Sequence, residues 1–412
     1  MQSEPIMEDS YTIVHGAEEV VLGPGSNGAL AVHDDAAVVI EDGVVTTIGD
    51  TDEITRRYPP ENAITSIDAS GRVVLPGFVD SHTHAVFAGD RSDEFAARLA
   101  GADYQKILAE GGGILRTVRA VREASEETLC DRLLGVLDTM LAHGATTVEV
   151  KSGYGLDTES ECKMLRAIEQ ADERHPIDLV ATFLGAHAVP PEMEQHDYVD
   201  AVIDEQLPAV ADAELATYCD VFCDVGAFTR DEAERILRAA AELGFDLKIH
   251  AEEFARLGGA SLAAQLGATS ADHLLQATDE DASALAEAGV VPTLLPGTAF
   301  TLGVEYADHQ RFIEAGNWPA IASDFNPNCH SPSMVMTVQL AAHGMGMAPD
   351  VAVRAATSEA ALALDRPDLG RLEEGSPGDL LILDVPTRVH LPYSFGINPI
   401  DTVVKGGRVV HG

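Results

Sequence analysis

Positive charge is what this sequence has least of. Its 412 residues carry 26 Lys plus Arg against 68 Asp plus Glu, a formal net charge of −42, and lysine stands only at positions 106, 151, 163, 248 and 405. A protein that neutralises nucleic-acid phosphates needs a basic face. Nucleic acid is therefore excluded as an electrostatic partner. No apolar run approaches the roughly 18 residues of a membrane span, and the start, Met1-Gln-Ser-Glu-Pro, lacks the basic-then-apolar order of a signal peptide. No membrane partner is expected. The five cysteines (130, 162, 219, 223 and 329) are an odd count in a long chain, which fits reduced thiols better than a disulfide framework. These absences together point to the cytoplasm. Internal repeats and low-complexity tracts are absent too.

Hydrophobic residues make up 46% of the chain, too many for an acidic disordered polymer. The acidity must then lie on the surface of a folded core. At about 1 M salt the Debye length is ~3 Å and repulsion among surface carboxylates is largely screened, whereas dilute buffer sets it against the compact state. A salt-rich, halophilic cytoplasm is expected. Transfer into dilute buffer without a stabilising ligand is expected to unfold or inactivate the protein, followed by circular dichroism and activity. Full activity there would overturn this reading.

Three stretches follow one another. Residues 1–67 read as short strands, with Ala36 to Glu41 and Val44 to Ile48 flanking Asp42-Gly43, the turn pair of a two-residue hairpin. Residues 366–412 have the same texture, in Asp379 to Asp384 and in Thr402 to Val410, which Gly406-Gly407 interrupts. The two ends are expected to pair into one small β-sandwich domain. Across residues 68–365, apolar runs alternate with amphipathic stretches such as Asp231 to Leu243 and Ala260 to Leu266, the pattern of a parallel sheet with crossover helices. Eight strands begin near Val73, Thr146, Leu179, Asp220, Leu247, Ser270, Val290 and Ala320. Eight such units specify an α/β fold, the (β/α)8 TIM barrel, whose chemistry lies at the C-terminal strand ends.

That rule selects few residues. The first strand leads into His82-Thr83-His84. Side chains two apart on an extended chain share a face, so both imidazoles can reach one metal ion. The fifth strand ends at His250, with Glu253 three residues on; the sixth ends at His273; the eighth leads to Asp324 and Asn326. Any one of these could cap a helix or satisfy a local hydrogen bond, but for five strand-end groups of one barrel that account is poor. His82, His84, His250 and Asp324 can hold one divalent or trivalent ion, zinc or iron, with a position left for water. A water so bound ionises near neutral pH, so a hydrolytic role is expected. Glu253 could move a proton or simply begin a helix. His273 could stabilise an oxyanion. Arg91 could fork onto a substrate carboxylate or form a loop ion pair. Gly111-Gly112-Gly113 lacks the Lys-Ser/Thr of a phosphate loop and reads as a loop, and Cys219 and Cys223 read as core thiols.

These residues resemble the amidohydrolase superfamily, whose barrel carries His-x-His on strand one, His on strands five and six, and Asp on strand eight. The resemblance covers nearly the whole chain, including the small terminal domain. Binuclear members add a carboxylated Lys on strand four. Strand four here, Cys219 to Val225, has none, which implies a single metal ion; Lys151, after strand two, is the candidate should the strand count be displaced. Narrower motifs lie at 75–91 (LPGFVDSHTHAVFAGDR), 149–156 (EVKSGYGL), 183–192 (FLGAHAVPPE), 248–253 (KIHAEE), 269–274 (TSADHL), 295–300 (LPGTAF) and 324–327 (DFNP). They are similar to the branch that opens 4-imidazolone-5-propanoate with water to give N-formimidoyl-L-glutamate, the third step of histidine degradation. The resemblance implies that Arg91, Tyr154, His187, Glu253 and Asn326 bind a small substrate bearing a carboxylate. It implies that Glu253, His273 and Asp324 share the catalysis, and that the protein is a homodimer. The family's contacts after Asn-Pro come from Gly and then Ser or Thr; here Asn328 and Cys329 hold those positions. A related deaminase acting on a cytosine- or guanine-like ring is the alternative, and a non-catalytic binding barrel is the reading from another class.

Overall fold

The computed structural model describes residues 11–25, 29–101 and 112–412. The start of the chain and Gly111 of the glycine run lie outside the described residues.

Asp42 and Gly43 both take positive φ, 51° and 82°, the conformation a two-residue type I′ turn requires. Strands Leu30–Glu41 and Val44–Asp50 accordingly pair antiparallel from Glu41 and Val44 outward. Tyr11–Pro24 joins their other side, followed by Val73–Pro76 and then, from the far end of the chain, Leu380–Leu383, Ile400–Lys405 and Arg408–His411. Thr65–Asp68 pairs in parallel with Tyr11–Pro24. The two termini thus build one mixed sheet of eight strands, separate from the barrel. Strand periodicity docks the two units. Leu380 and Ile382 enter the small sheet's own core with Val14, Val38 and Ile40, while Leu381 and Leu383 face the barrel core.

One strand differs from the sequence expectation. Val73–Pro76 belongs to the terminal sheet, paired with Tyr11–Pro24 and Leu380–Leu383, and the first barrel strand is Phe78–Asp80. The crossing is at Gly77, where a Cβ would lie 2.2 Å from Thr146 Oγ1. Hydropathy misses the change of sheet because a fully buried run looks alike in either one.

The remaining barrel strands are Ala145–Lys151, Asp178–Ala186, Tyr218–Cys223, Asp246–Ala251, Ser270–His273, Val291–Leu294 and Ala320–Ile321, each parallel to its neighbour. A parallel bridge between Thr83 and Phe325 links the last strand to the first. There the Asp324 amide donates to His82 O at 3.0 Å and the His84 amide to Phe325 O at 2.9 Å. Closing the barrel therefore lays Asp324 beside the His-x-His pair. Helices cover the outside. Arg230–Glu242 starts with a Thr229–Glu232 capping box and buries Ala233, Ile236, Leu237 and Ala240, the i, i+3, i+4, i+7 spacing of one helical face. Gly259–Leu266 likewise matches its expected position. Cys219 and Cys223 lie in the core and all five cysteines are unpaired thiols. No helix among the described residues is long and apolar enough to cross a membrane.

Candidate active site

Alternation along the strands puts Glu149 with Lys151, and Lys248 with His250, on the inward face. The ring nitrogens of His82, His84 and His250 converge within 4.8 Å of one another. His84 Nε2 and His250 Nε2 are 3.3 Å apart, and Asp324 Oδ1 lies 3.5 Å from His84 Nε2 and 3.7 Å from His82 Nε2. All four side chains are buried. His82 Nε2 is buried without a hydrogen-bond partner, a state that costs about 1–3 kcal/mol when nothing else satisfies it. Burial is the largest cause holding the His82 and His84 pKa well below the ordinary range, reinforced by Lys151 and by neighbouring imidazoles. Neutral rings with lone pairs turned toward one point and a carboxylate oxygen are the donor set of a metal ion, and these residues fit one.

Carboxylates stand behind two of the three rings, while His84 Nδ1 has no hydrogen-bond partner. His82 Nδ1 is 2.6 Å from Asp272 Oδ2, and His250 Nδ1 is 3.0 Å from Asp220 Oδ2. A carboxylate in that place favours the Nδ1–H tautomer and frees Nε2 for a metal. Thr298 Oγ1 donates to Asp324 Oδ2, while Asn326 Nδ2 donates to Asp324 Oδ1 at 3.0 Å and to its carbonyl at 2.8 Å. Burial raises the Asp324 pKa to about 6. Glu252, His273, Leu274 and Asp324 all take positive φ, between 49° and 77°. Such non-glycine residues cost on the order of 1–3 kcal/mol each and gather at functional sites.

Glu253 is 7% exposed, with Oε1 3.8 Å from His273 Nδ1. Burial, then the charges of Asp324 and Asp224, hold its pKa well above the usual carboxylate range. It does not start a helix, because the next one begins at Gly259. Asp224 instead accepts from the amides of Glu253, Phe254 and Ala255 at 2.8, 2.8 and 3.1 Å, fixing this turn after the fifth strand.

Tyr154 is held in its loop by the buried Glu161, which accepts from the amides of Gly153, Gly155 and Leu156 at 2.8, 2.7 and 2.8 Å. Its ring centroid lies 5.9 Å from that of His84 and 5.2 Å from that of His187. His187 stacks on His84 at 4.9 Å with rings 21° apart, and its Nδ1 is 3.0 Å from Gly153 O. Burial, then His250, takes the His187 pKa down to about 3. The neutral ring donates Nδ1–H to that carbonyl, leaving Nε2 as an acceptor. Arg91 makes the loop ion pair, Nε to Glu94 Oε2 at 2.9 Å, yet its charge also acts on the Tyr154 phenol, so it borders the same space. Asn326 Oδ1 accepts from the amides of Asn328 and Cys329 at 2.7 and 2.9 Å. Asn328 is not among the described positive-φ residues, so this turn is not glycine-like. The Cys329 thiol is enclosed, 3.7 Å from Ser323 O, with its pKa pushed up to about 12 by burial. Its side chain is turned into the protein.

Sequence reasoning passed over Glu149, Asp220 and Asp272, and left Lys151 as an alternative only. Lys151 closes the second strand, as counted. Its Nζ lies 2.6 Å from Glu149, 2.8 Å from Asp220 and 3.9 Å from Asp272. Those carboxylates outweigh burial and hold the amine charged, unlike a carboxylated lysine. The overlooked signal was ionisable residues inside otherwise apolar strands (VEVK, YCDVFC, SADH), since a buried charge must be paired.

The amidohydrolase family model matches residues 73–410. An imidazolonepropionase of Haloarcula marismortui is 58% identical over 400 residues, covering 97% of this chain and 95% of its own length. Another, of Parabacteroides distasonis, is 46% identical over 414 residues, covering 98% and 99%. Among solved structures, a triazine hydrolase from Arthobacter aurescens superposes with TM-score 0.76 at 18% identity, covering 97% of this chain and 94% of that one. An adenosine deaminase from Xanthomonas campestris, with bound zinc, gives 0.74 at 18%, covering 97% and 92%. At that identity the structural likeness concerns the fold alone.

Proposed function

The chain belongs to the amidohydrolase family, and from that premise we propose that it hydrolyses 4-imidazolone-5-propanoate to N-formimidoyl-L-glutamate in the degradation of histidine, as an imidazolonepropionase. The observation that carries this reading is the convergence of His82, His84, His250 and Asp324 beside a buried Glu253. His82, His84, His250 and Asp324 would hold one zinc or iron ion, which when bound supplies Lewis-acid activation of water and of the substrate carbonyl.

The chain's own residues do the rest. Water adds to the carbonyl carbon of the cyclic amide as Glu253 takes its proton. The ring carbon–nitrogen bond then breaks, and Glu253 returns the proton to the departing nitrogen, which is general base and then general acid catalysis. His273, 3.8 Å from Glu253, stabilises the oxyanion that forms at the carbonyl oxygen. Arg91 and Tyr154 receive the propionate, His187 Nε2 accepts from a substrate N–H, and Asn326 orders the Asn328–Cys329 turn that closes the site. The −42 charge supports action in a salt-rich cytoplasm.

The test is turnover of 4-imidazolone-5-propanoate by the purified protein in concentrated KCl, with formimidoylglutamate and bound metal measured on one sample. Turnover with one metal ion per chain is expected; a folded, metal-loaded protein without turnover would overturn the substrate. Arg91→Ala in the same assay is expected to cost roughly 10–100-fold in kcat/KM, mostly through KM, because a hydrogen bond to a charged group is worth about 1.5–3 kcal/mol. Unchanged activity would point instead to a neutral, nucleobase-like substrate.

A further inference from the structure

We propose that Lys151 is a positioning residue for the metal centre: its ammonium fixes the Asp220 carboxylate, which in turn orients His250 so that Nε2 faces His82 and His84. The inference rests on the metal-site reading above and extends it to a residue from a different strand whose ammonium pairs with Glu149, Asp220 and Asp272 rather than with any of the four ligands.

The geometry is specific to one oxygen. Lys151 Nζ at 2.8 Å and His250 Nδ1 at 3.0 Å approach the same atom, Asp220 Oδ2, while Asp220 Oδ1 accepts from the His250 amide at 3.1 Å. Asp220 thus holds the backbone of His250 through Oδ1 and faces its ring with Oδ2, and the lysine's charge draws that second oxygen to its place. Lys151 is itself anchored, donating to Glu149 Oε1 at 2.6 Å, an oxygen that also takes Thr182 Oγ1 at 2.5 Å. The same ammonium lies 3.9 Å from Asp272 Oδ2, the atom that meets His82 Nδ1 at 2.6 Å. One cation therefore borders both carboxylate oxygens that orient metal-facing imidazoles. Lys248, the neighbouring buried cation, donates to Ser81 O at 3.0 Å and Ala363 O at 3.1 Å, lies 3.6 Å from Glu149 Oε1 and also acts on Asp272, but it makes no ion pair with Asp220. Among the described residues, no Lys or Arg other than Lys151 pairs with Asp220. Without that ammonium the carboxylate can rotate about its own side chain, and the imidazole loses its fixed orientation.

The experiment is Zn2+ binding by chelator competition on the full-length protein in concentrated KCl, for wild type, Lys151→Met, Asp220→Asn and the double variant, with circular dichroism of each metal-free form. Lys151→Met is expected to weaken Zn2+ binding by about 10–100-fold, the usual range for groups behind metal ligands, while the metal-free fold is kept. In the Asp220→Asn background the same change is expected to matter by less than about threefold, because the lysine acts through that carboxylate. A folded Lys151→Met protein that binds Zn2+ like wild type, or effects that multiply in the double variant, would overturn the proposal. Should Lys151→Met fail to fold, the double variant, which removes both charges of the pair, is compared with Asp220→Asn alone by the same threefold criterion. A wild-type protein that takes up no Zn2+ would instead overturn the metal-site reading.

Discussion

Glu253→Gln is expected to lower kcat by about 10²–10⁴-fold, the usual contribution of a positioned acid-base group, with bound metal at the wild-type level. The amide keeps the shape and burial of the side chain but can neither take nor return a proton. The structure makes this separation of effects meaningful. Glu253 Oε1 lies 3.8 Å from His273 Nδ1 and makes no ion pair with His82 or His84, and Asp224 holds its backbone independently of its carboxylate. Metal loss with this substitution would mean that Glu253 is a ligand. The pH profile carries the same information. Burial and the charges of Asp324 and Asp224 favour the protonated acid and raise its pKa, and a base must be ionised to act. The acid limb of the wild-type rate is therefore expected above the pH at which an exposed glutamate titrates, near 4.3, and this limb should vanish in the Gln variant.

His250→Ala is expected to lose metal and activity together, read by metal analysis and the turnover assay. His250 Nε2 is 3.3 Å from His84 Nε2, so its removal takes away one of the three converging imidazoles on which the site is built. It also leaves Asp220 Oδ2 with Lys151 alone. A variant that stays fully metal-loaded would show that the ion sits elsewhere. Glu253→Gln and His250→Ala thus divide the pocket into a part that moves protons and a part that holds the ion.

The local rules were legible because they act over a few residues. The Asp42-Gly43 turn, the strand within Asp379 to Asp384 and the helix around Asp231 to Leu243 each follow from backbone geometry that neighbours impose. Strand-end positions of His82, His84, His250, His273 and Asp324 were readable for the same reason: a strand's end is marked by where its apolar run stops. What was not legible was pairing. Arg91 allowed both an ion pair and a pocket role from sequence, and its Glu94 partner is seen only once the loop is built. Val73–Pro76 had the hydropathy of a barrel strand and lies in the other sheet, because burial does not record which surface a strand meets.

The sequence by itself determined the eight-unit barrel, the acidic surface, the terminal sheet and the strand-end ligand candidates, since periodicity and composition are properties of the chain. Only the tertiary structure decided that Asp324 closes against the His-x-His pair and that Glu161 and Asp224 hold the Tyr154 and Glu253 turns. The same is true of the meeting of Lys151 with Asp220 behind His250, across 69 positions of sequence (151 to 220). Charges buried on separate strands find their partners only through the register in which a barrel closes, and register is not written in any one strand.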